Sequence, residues 1–233
     1  MTAEAPRRRA SEGVYDRLRE LVVENRLPPD ERISIDAVAR ELGVSQTPVR
    51  EAIRQLEGDR LVVRVPGKGY QTTPLLDRDG LRDLFEFRLL VEVWAARAAA
   101  VNRLSNPAPM MRAELDRITS QNGPPLDIPR QLVTHDTRFH QLILAAAGNR
   151  VIQHAHEQTH THLHTFRLYS AETDGSVTLA EHNAICAAIE ACDPDAAEAA
   201  MRVHLIAAYA RFSRYFDDAD TPPLTEGRIG RLF

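Results

Sequence analysis

Residues 34–56 read SIDAVARELGVSQTPVREAIRQL, and this stretch decides the first half of the fold. Ile35, Val38, Ala39 and Leu42 recur at helical spacing behind Ser34, a residue type suited to cap a helix N-terminus. Gly43 can take the left-handed conformation that ends a helix, and Ser45 can cap the next one. Pro48 falls in that second helix's first turn, where no N–H is needed. The second pattern buries Val49, Ile53 and Leu56 and turns Gln46, Thr47, Arg50 and Arg54 the other way. Two short helices on a tight Gly turn, the second polar on its outer face, predict a helix-turn-helix whose second helix fits a major groove.

Working outward, Leu61–Val65, the turn residues Pro66-Gly67-Lys68-Gly69 and Tyr70–Thr73 read as strand, turn, strand. A hairpin directly after a helix-turn-helix is a wing. Its tip carries Lys68, the only lysine in the chain, between two glycines that let backbone approach a phosphate. Upstream, Val14, Leu18, Leu21 and Val22 give a first helix its buried stripe, and Leu27-Pro28-Pro29 ends it. Residues 1–11 are expected to be a disordered tail.

The run LGVSQTPVREAIRQLE followed by GKGY resembles the DNA-binding domain of the GntR family of bacterial transcription regulators. The resemblance spans residues 12–74 and implies double-stranded operator DNA as partner. It implies that Gln46, Thr47, Arg50 and Arg54 face the groove, with Ser45 and Lys68 placed for backbone contacts. This chain departs from the family pattern twice. Gln46 stands where the family usually has Arg, so a guanine contact gives way to one suited to adenine. Arg60 stands where a left-handed glycine is common.

The 233 residues carry a net charge of −4, which argues against indiscriminate coating of nucleic acid. Residues 1–76 hold 13 basic and 12 acidic side chains, so DNA binding has to rest on where the arginines sit and on dimerisation. Cys186 and Cys192 lie on different faces of one helical pattern, with no second pair to build a zinc site. The N-terminus lacks an apolar core and no run is long enough to span a membrane, so a cytoplasmic protein is expected.

Residues 75–78 read as a linker stiffened by Pro74 at its edge, and 79–216 as an all-helical domain. Six antiparallel helices are predicted, at about 78–103, 110–120, 127–147, 150–170, 177–191 and 195–216. Breaks fall at 105–109, 122–125, 148–149, 173–175 and 193–194, and residues 217–233 read as a flexible tail. The expected fold class is therefore mainly α: a winged helix-turn-helix, then an antiparallel helical bundle.

All nine histidines lie between positions 135 and 204. Asp136 and His140 sit one helical turn apart, and His182 and His204 lie about eleven residues either side of the break at Asp193. These four could bind a first-row divalent metal: zinc first, then nickel, manganese or iron. Across the Gly148-Asn149 turn, His156 and His160 fall level with His140 and Asp136, with His164 continuing the face, and spacing alone leaves both sets open.

Residues 78–216 resemble the effector domain of the FadR branch of the same family, on RLLVE at 88–92, DTRFH at 136–140, Gly148-Asn149, Glu181-His182 and His204. The resemblance implies that Asp136, His140, His182 and His204 are the metal ligands, with His156, His160, His162 and His164 as pocket neighbours. It also implies that Arg88 binds the carboxylate of a small organic acid effector; an intrahelical pair with Glu92 is the competing assignment. The expected function is a homodimeric, acid-responsive regulator of the repressing kind, the commoner sign in such families. A metal sensor and a metal-dependent hydrolase are the rivals, with Glu181 the best general-base residue for the latter.

Overall fold

A computed structural model describes residues 4–119, 128–168 and 175–216, with side chains from 12 to 119, 131 to 168 and 175 to 216. The predicted tail at 217–233 and the breaks at 122–125 and 173–174 lie outside the described residues. The chain divides into two compact units, Met1–Leu75 and Leu76–Phe233.

In the first unit α1 (Glu4–Val23) packs on α3 (Gln46–Gly58), burying Val14, Leu18 and Val22 with Val49, Ile53 and Leu56. Each such side chain contributes roughly 1.5–3 kcal/mol by leaving water. Helix α1 starts earlier than expected, within the segment assigned to a disordered tail. Pro6 falls in the first turn, where it is tolerated, and Arg and Ala propagate a helix that is already docked further on.

Helix α2 (Ile35–Glu41) is capped by Ser34, whose hydroxyl accepts from the Ala37 N–H. It ends at Gly43 with φ +64°, where the Val44 N–H reaches back to the Ala39 carbonyl. Ser45 holds the N-cap position of α3, but its hydroxyl makes no capping bond. The exit from α3 repeats the α2 ending: Arg60 takes φ +57° and the Leu61 N–H bonds the Leu56 carbonyl. The left-handed turn is thus made with Arg60 in place of a glycine, at about 1–2 kcal/mol of backbone strain.

The wing strands β2 (Val62–Val65) and β3 (Gly69–Thr72) pair antiparallel. A strand missed in the sequence, β1 (Arg32–Ile33), pairs with the other edge of β3, giving the order β1-β3-β2.

The second unit contains α4 (Arg78–Val101), α5 (Ala108–Thr119), α6 (Ile128–Ala146), α7 (Arg150–Glu157), α8 (Thr161–Phe166), α9 (Ser176–Glu190) and α10 (Pro194–Ser213). Asp77 caps α4 through the Gly80 N–H, and Asp193 caps α10 through the Ala196 N–H. Helix α4 packs along α10 and also touches α6, α7 and α9. The core includes Val93, Ala96, Met111, Phe139, Ile185, Met201 and Leu205.

The single helix predicted for 150–170 is corrected to two. Thr159 donates its hydroxyl to the His156 carbonyl and His160 turns left-handed at φ +46°, so α7 and α8 are separate. A β-branched residue that bonds its own backbone competes with the helical ladder at that point.

Candidate functional site

Two sets of polar side chains lie apart from ordinary surface, one on each unit. On α3 the apolar side is fully buried, whereas Gln46, Thr47, Arg50 and Arg54 are exposed, with Ser45 at the helix start. The Arg50 guanidinium donates to the Gln46 side-chain oxygen at 3.1 Å, one turn back. Lys68 is exposed at the wing tip, beyond the last paired residues Val65 and Gly69.

The second set is buried. Helix α6 contributes Asp136 and His140 one turn apart, α9 contributes His182 and α10 contributes His204. All four are at most 5% exposed, and each offers a ligand atom within 4.8 Å of the others. The competing set disperses. His156 turns its Nε2 to Glu92 at 2.8 Å, and His160 occupies the left-handed turn between helices.

Each histidine of the four turns its Nδ1 away from the centre toward an acceptor. His204 Nδ1 donates to Glu181 Oε2 at 2.7 Å, and Glu181 is clamped by both amino groups of Arg211. His140 Nδ1 lies 2.6 Å from Glu92 Oε2, though out of line for a hydrogen bond. His182 Nδ1 meets His135 Nε2 at 2.9 Å. The Nε2 atoms of His182 and His140 then lie 3.4 and 3.7 Å from Asp136 Oδ1, while His162 Nδ1 bonds the other carboxylate oxygen. Metal-binding imidazoles are held in this way, with the outer ring nitrogen fixed by a carboxylate or another acceptor.

Electrostatics favour the ligand form of Asp136, His140 and His182. Burial alone raises the Asp136 pKa, but His162, whose Nδ1 bonds the carboxylate, leads the opposing effects that hold the carboxyl well below its usual range. Burial pushes His140 down to about 4 and His182 well below its ordinary value, so both rings are neutral at pH 7. His182 Nε2 is buried and makes no hydrogen bond. An orphaned basic nitrogen beside a carboxylate oxygen fits a cation: ring nitrogens 3.4 and 3.7 Å from Asp136 Oδ1 could share one ion with it through bonds of about 2.1 Å. The four residues could therefore hold a divalent metal.

Arg88 is 1% exposed and forks onto Glu92, with Nε 2.6 Å from Oε1 and Nη2 3.2 Å from Oε2. The intrahelical pair is thus present. The same Nη2 lies 3.5 Å from His140 Nε2, so the guanidinium borders the cluster. Glu181, the residue considered for general-base chemistry, is occupied behind His204. Burial raises its pKa, and His204 and Arg211 outweigh that to bring it to about 2.

His135 was not singled out in the sequence, nor was Glu92 as the anchor of both His140 and His156. A signal for Glu92 was available: with Arg88 it interrupts the otherwise apolar stripe from Leu81 to Ala96. Among the described residues no helix is long and apolar enough to cross a membrane, and both cysteines are free.

Residues 10–71 match the family described as bacterial regulatory proteins, gntR family, and residues 83–207 match the FCD domain. An uncharacterised HTH-type transcriptional regulator, YdhC of Bacillus subtilis, is 23% identical over 194 residues, 82% of this chain and 85% of the relative. A probable D-xylose utilization operon transcriptional repressor of Paenarthrobacter nicotinovorans is 29% identical over 191 residues, 81% of each chain. Among solved structures, E. coli McbR/YncC superposes with a TM-score of 0.68 at 18% identity, over 89% of this chain and 98% of that one.

Proposed function

This chain belongs to the GntR family of bacterial regulatory proteins and carries an FCD domain; on that premise we propose a homodimeric, metal-containing repressor released from its operator by a small organic acid. The family and the matched relatives are transcription regulators, not enzymes. Gln46, Thr47, Arg50 and Arg54 read base edges in the major groove, while Ser45 and Lys68 hold phosphates. The repressing sign follows the relative named as a repressor. The protein works in the cytoplasm, with its DNA.

The observation that carries the sensing half is the orphaned His182 Nε2 within a buried cluster of one carboxylate and three imidazoles. Asp136, His140, His182 and His204 hold the ion, with zinc the first choice for such donors and nickel, manganese or iron the others. A bound ion supplies Lewis-acidic positions that a carboxylate can fill. Arg88, at the edge of the cluster, orients that carboxylate while Glu92 holds the guanidinium. The acid changes operator affinity only by as much as it prefers one arrangement of the reading heads over another.

Dimerisation has a surface to use. Leu90, Trp94 and Val101 are exposed on α4, as are Val203 and Ile206 on the adjacent α10. Apolar side chains of this size on neighbouring helices suit burial against a second copy, and two copies double the DNA site read.

The test combines metal analysis of the purified protein with operator binding. Duplexes selected from a random pool are titrated with the protein, with and without small carboxylic acids. Bound metal, a two-fold symmetric site and release by one acid are expected. Release by chelator, with no acid acting, would overturn the effector assignment in favour of metal itself as the signal.

A further inference from the structure

Glu114 on α5 and His135 on α6 belong to neither of the two sites above, yet they form a continuous path to one of them. Glu114 sits at the rim of the bundle, 8% exposed, where the Arg117 guanidinium donates to both of its oxygens at 2.6 and 3.0 Å. Arg138 lies 3.8 Å away, and the same residues line an external groove with Met110 and Leu142. Glu114 Oε1 is 3.3 Å from His135 Nδ1, and His135 Nε2 is 2.9 Å from His182 Nδ1. His135 and His182 are both fully buried.

The direction of these bonds follows from what each group can do. An ionised carboxylate only accepts, so His135 Nδ1 carries the proton and donates it to Glu114. A neutral His135 then has a bare Nε2, which accepts from His182 Nδ1–H. That leaves His182 Nε2 without a proton, and it is the buried nitrogen with no hydrogen-bond partner beside Asp136. The His182 ring cannot readily tilt out of this arrangement, because Phe139 stacks on it with centroids 4.1 Å apart and planes 2° from parallel.

We propose that Glu114 and His135 are positioning residues: together they set the tautomer and heading of His182 from the rim of the bundle, and so tune metal affinity. The inference rests on the metal reading. It distinguishes His182 from its companions, since His140 and His204 face the carboxylates of Glu92 and Glu181 directly, whereas His182 reaches its carboxylate through a second imidazole. Loss of such an outer partner typically lowers metal affinity about 10–100-fold.

The experiment measures zinc affinity by chelator competition in the full-length protein and its variants, with histidine nitrogen NMR of the metal-free forms. His135→Leu removes the acceptor and is expected to weaken zinc binding about 10–100-fold. His135→Gln offers a carbonyl oxygen to the same His182 N–H and should recover most of the loss. Glu114→Gln keeps the shape but can donate as well as accept, so NMR should show mixed tautomers at His182 where the wild type shows the Nδ1–H form. Equal zinc affinity in wild type and His135→Leu, or a Gln variant as weak as the Leu one, would overturn the proposal. A wild type that binds no zinc sinks the metal reading instead, and the wild-type tautomer then decides the relay alone: an Nε2–H His182 ends it. If His135→Leu does not fold, Glu114→Gln and the tautomer spectra decide between the same two outcomes.

Discussion

Arg50 and Arg88 look alike in the sequence and act differently in the structure. Each sits on a helix one turn from a side chain it bonds: Gln46 for Arg50 and Glu92 for Arg88. Arg50 is in water, where such a pair is worth a few tenths of a kcal/mol and can be exchanged for a base or a phosphate. Arg88 is buried, and removing its partner would strand a charge at a cost of about 3–5 kcal/mol. The first unit keeps its polar groups outside, available to a partner. The second keeps them inside, already committed to one another and to a shared centre.

The largest expected effect tests whether that commitment converges on an ion. His204→Ala or His182→Ala should lower metal affinity by more than about 100-fold, while His160→Ala should leave it unchanged. Metal content after dialysis against a weak chelator reads this directly. Loss on His160→Ala with retention on His204→Ala would transfer the site to the other histidine set.

A smaller effect is expected from pH on the metal-free protein. His140 titrates near 4 instead of 6.5, and His182 lies well below its ordinary value, because burial disfavours the charged ring. Between those limits the unfolded chain binds more protons than the folded one. Stability is therefore full above pH 6.5 and falls as pH drops toward 4. Each such histidine contributes up to about 1.4 kcal/mol per pH unit. Melting temperatures between pH 7 and pH 5 should decline in the metal-free protein; a flat profile would mean the rings are not buried neutral.

The smallest effect belongs to the outer face. Arg50→Ala should weaken operator binding by about 1–3 kcal/mol, with melting temperature and metal content unchanged. Fluorescence anisotropy on the selected duplex measures it, and an unaltered affinity would remove Arg50 from the interface.

What the sequence disclosed follows the same division. Ser34, Gly43 and Pro48 signal their roles locally, and the apolar stripe of α3 is a one-helix pattern, so the reading head was legible from residues close in the chain. The strand β1 was not, because two residues carry no periodicity and the partner strand lies about forty positions away. In the bundle, spacing left two histidine sets open, since His156, His160 and His164 satisfy a helix that the chain does not form. The resemblance separated them, and the fold brings Asp136, His140, His182 and His204 together. His135 escaped notice because its partners, Glu114 and His182, come from other helices and no local rule marks such a link.

The central position of β3 has its own consequence. With β1 on one edge and β2 on the other, and with the Thr72 N–H and hydroxyl tied to Glu31, the base of the hairpin is stitched down. Only Pro66, Gly67 and Lys68 project past the last paired residues. Such a short jaw on a fixed hinge has the reach of a caliper: on the proposed reading, with a duplex along α3, Lys68 would gauge the width between phosphate rails and ignore the letters between them.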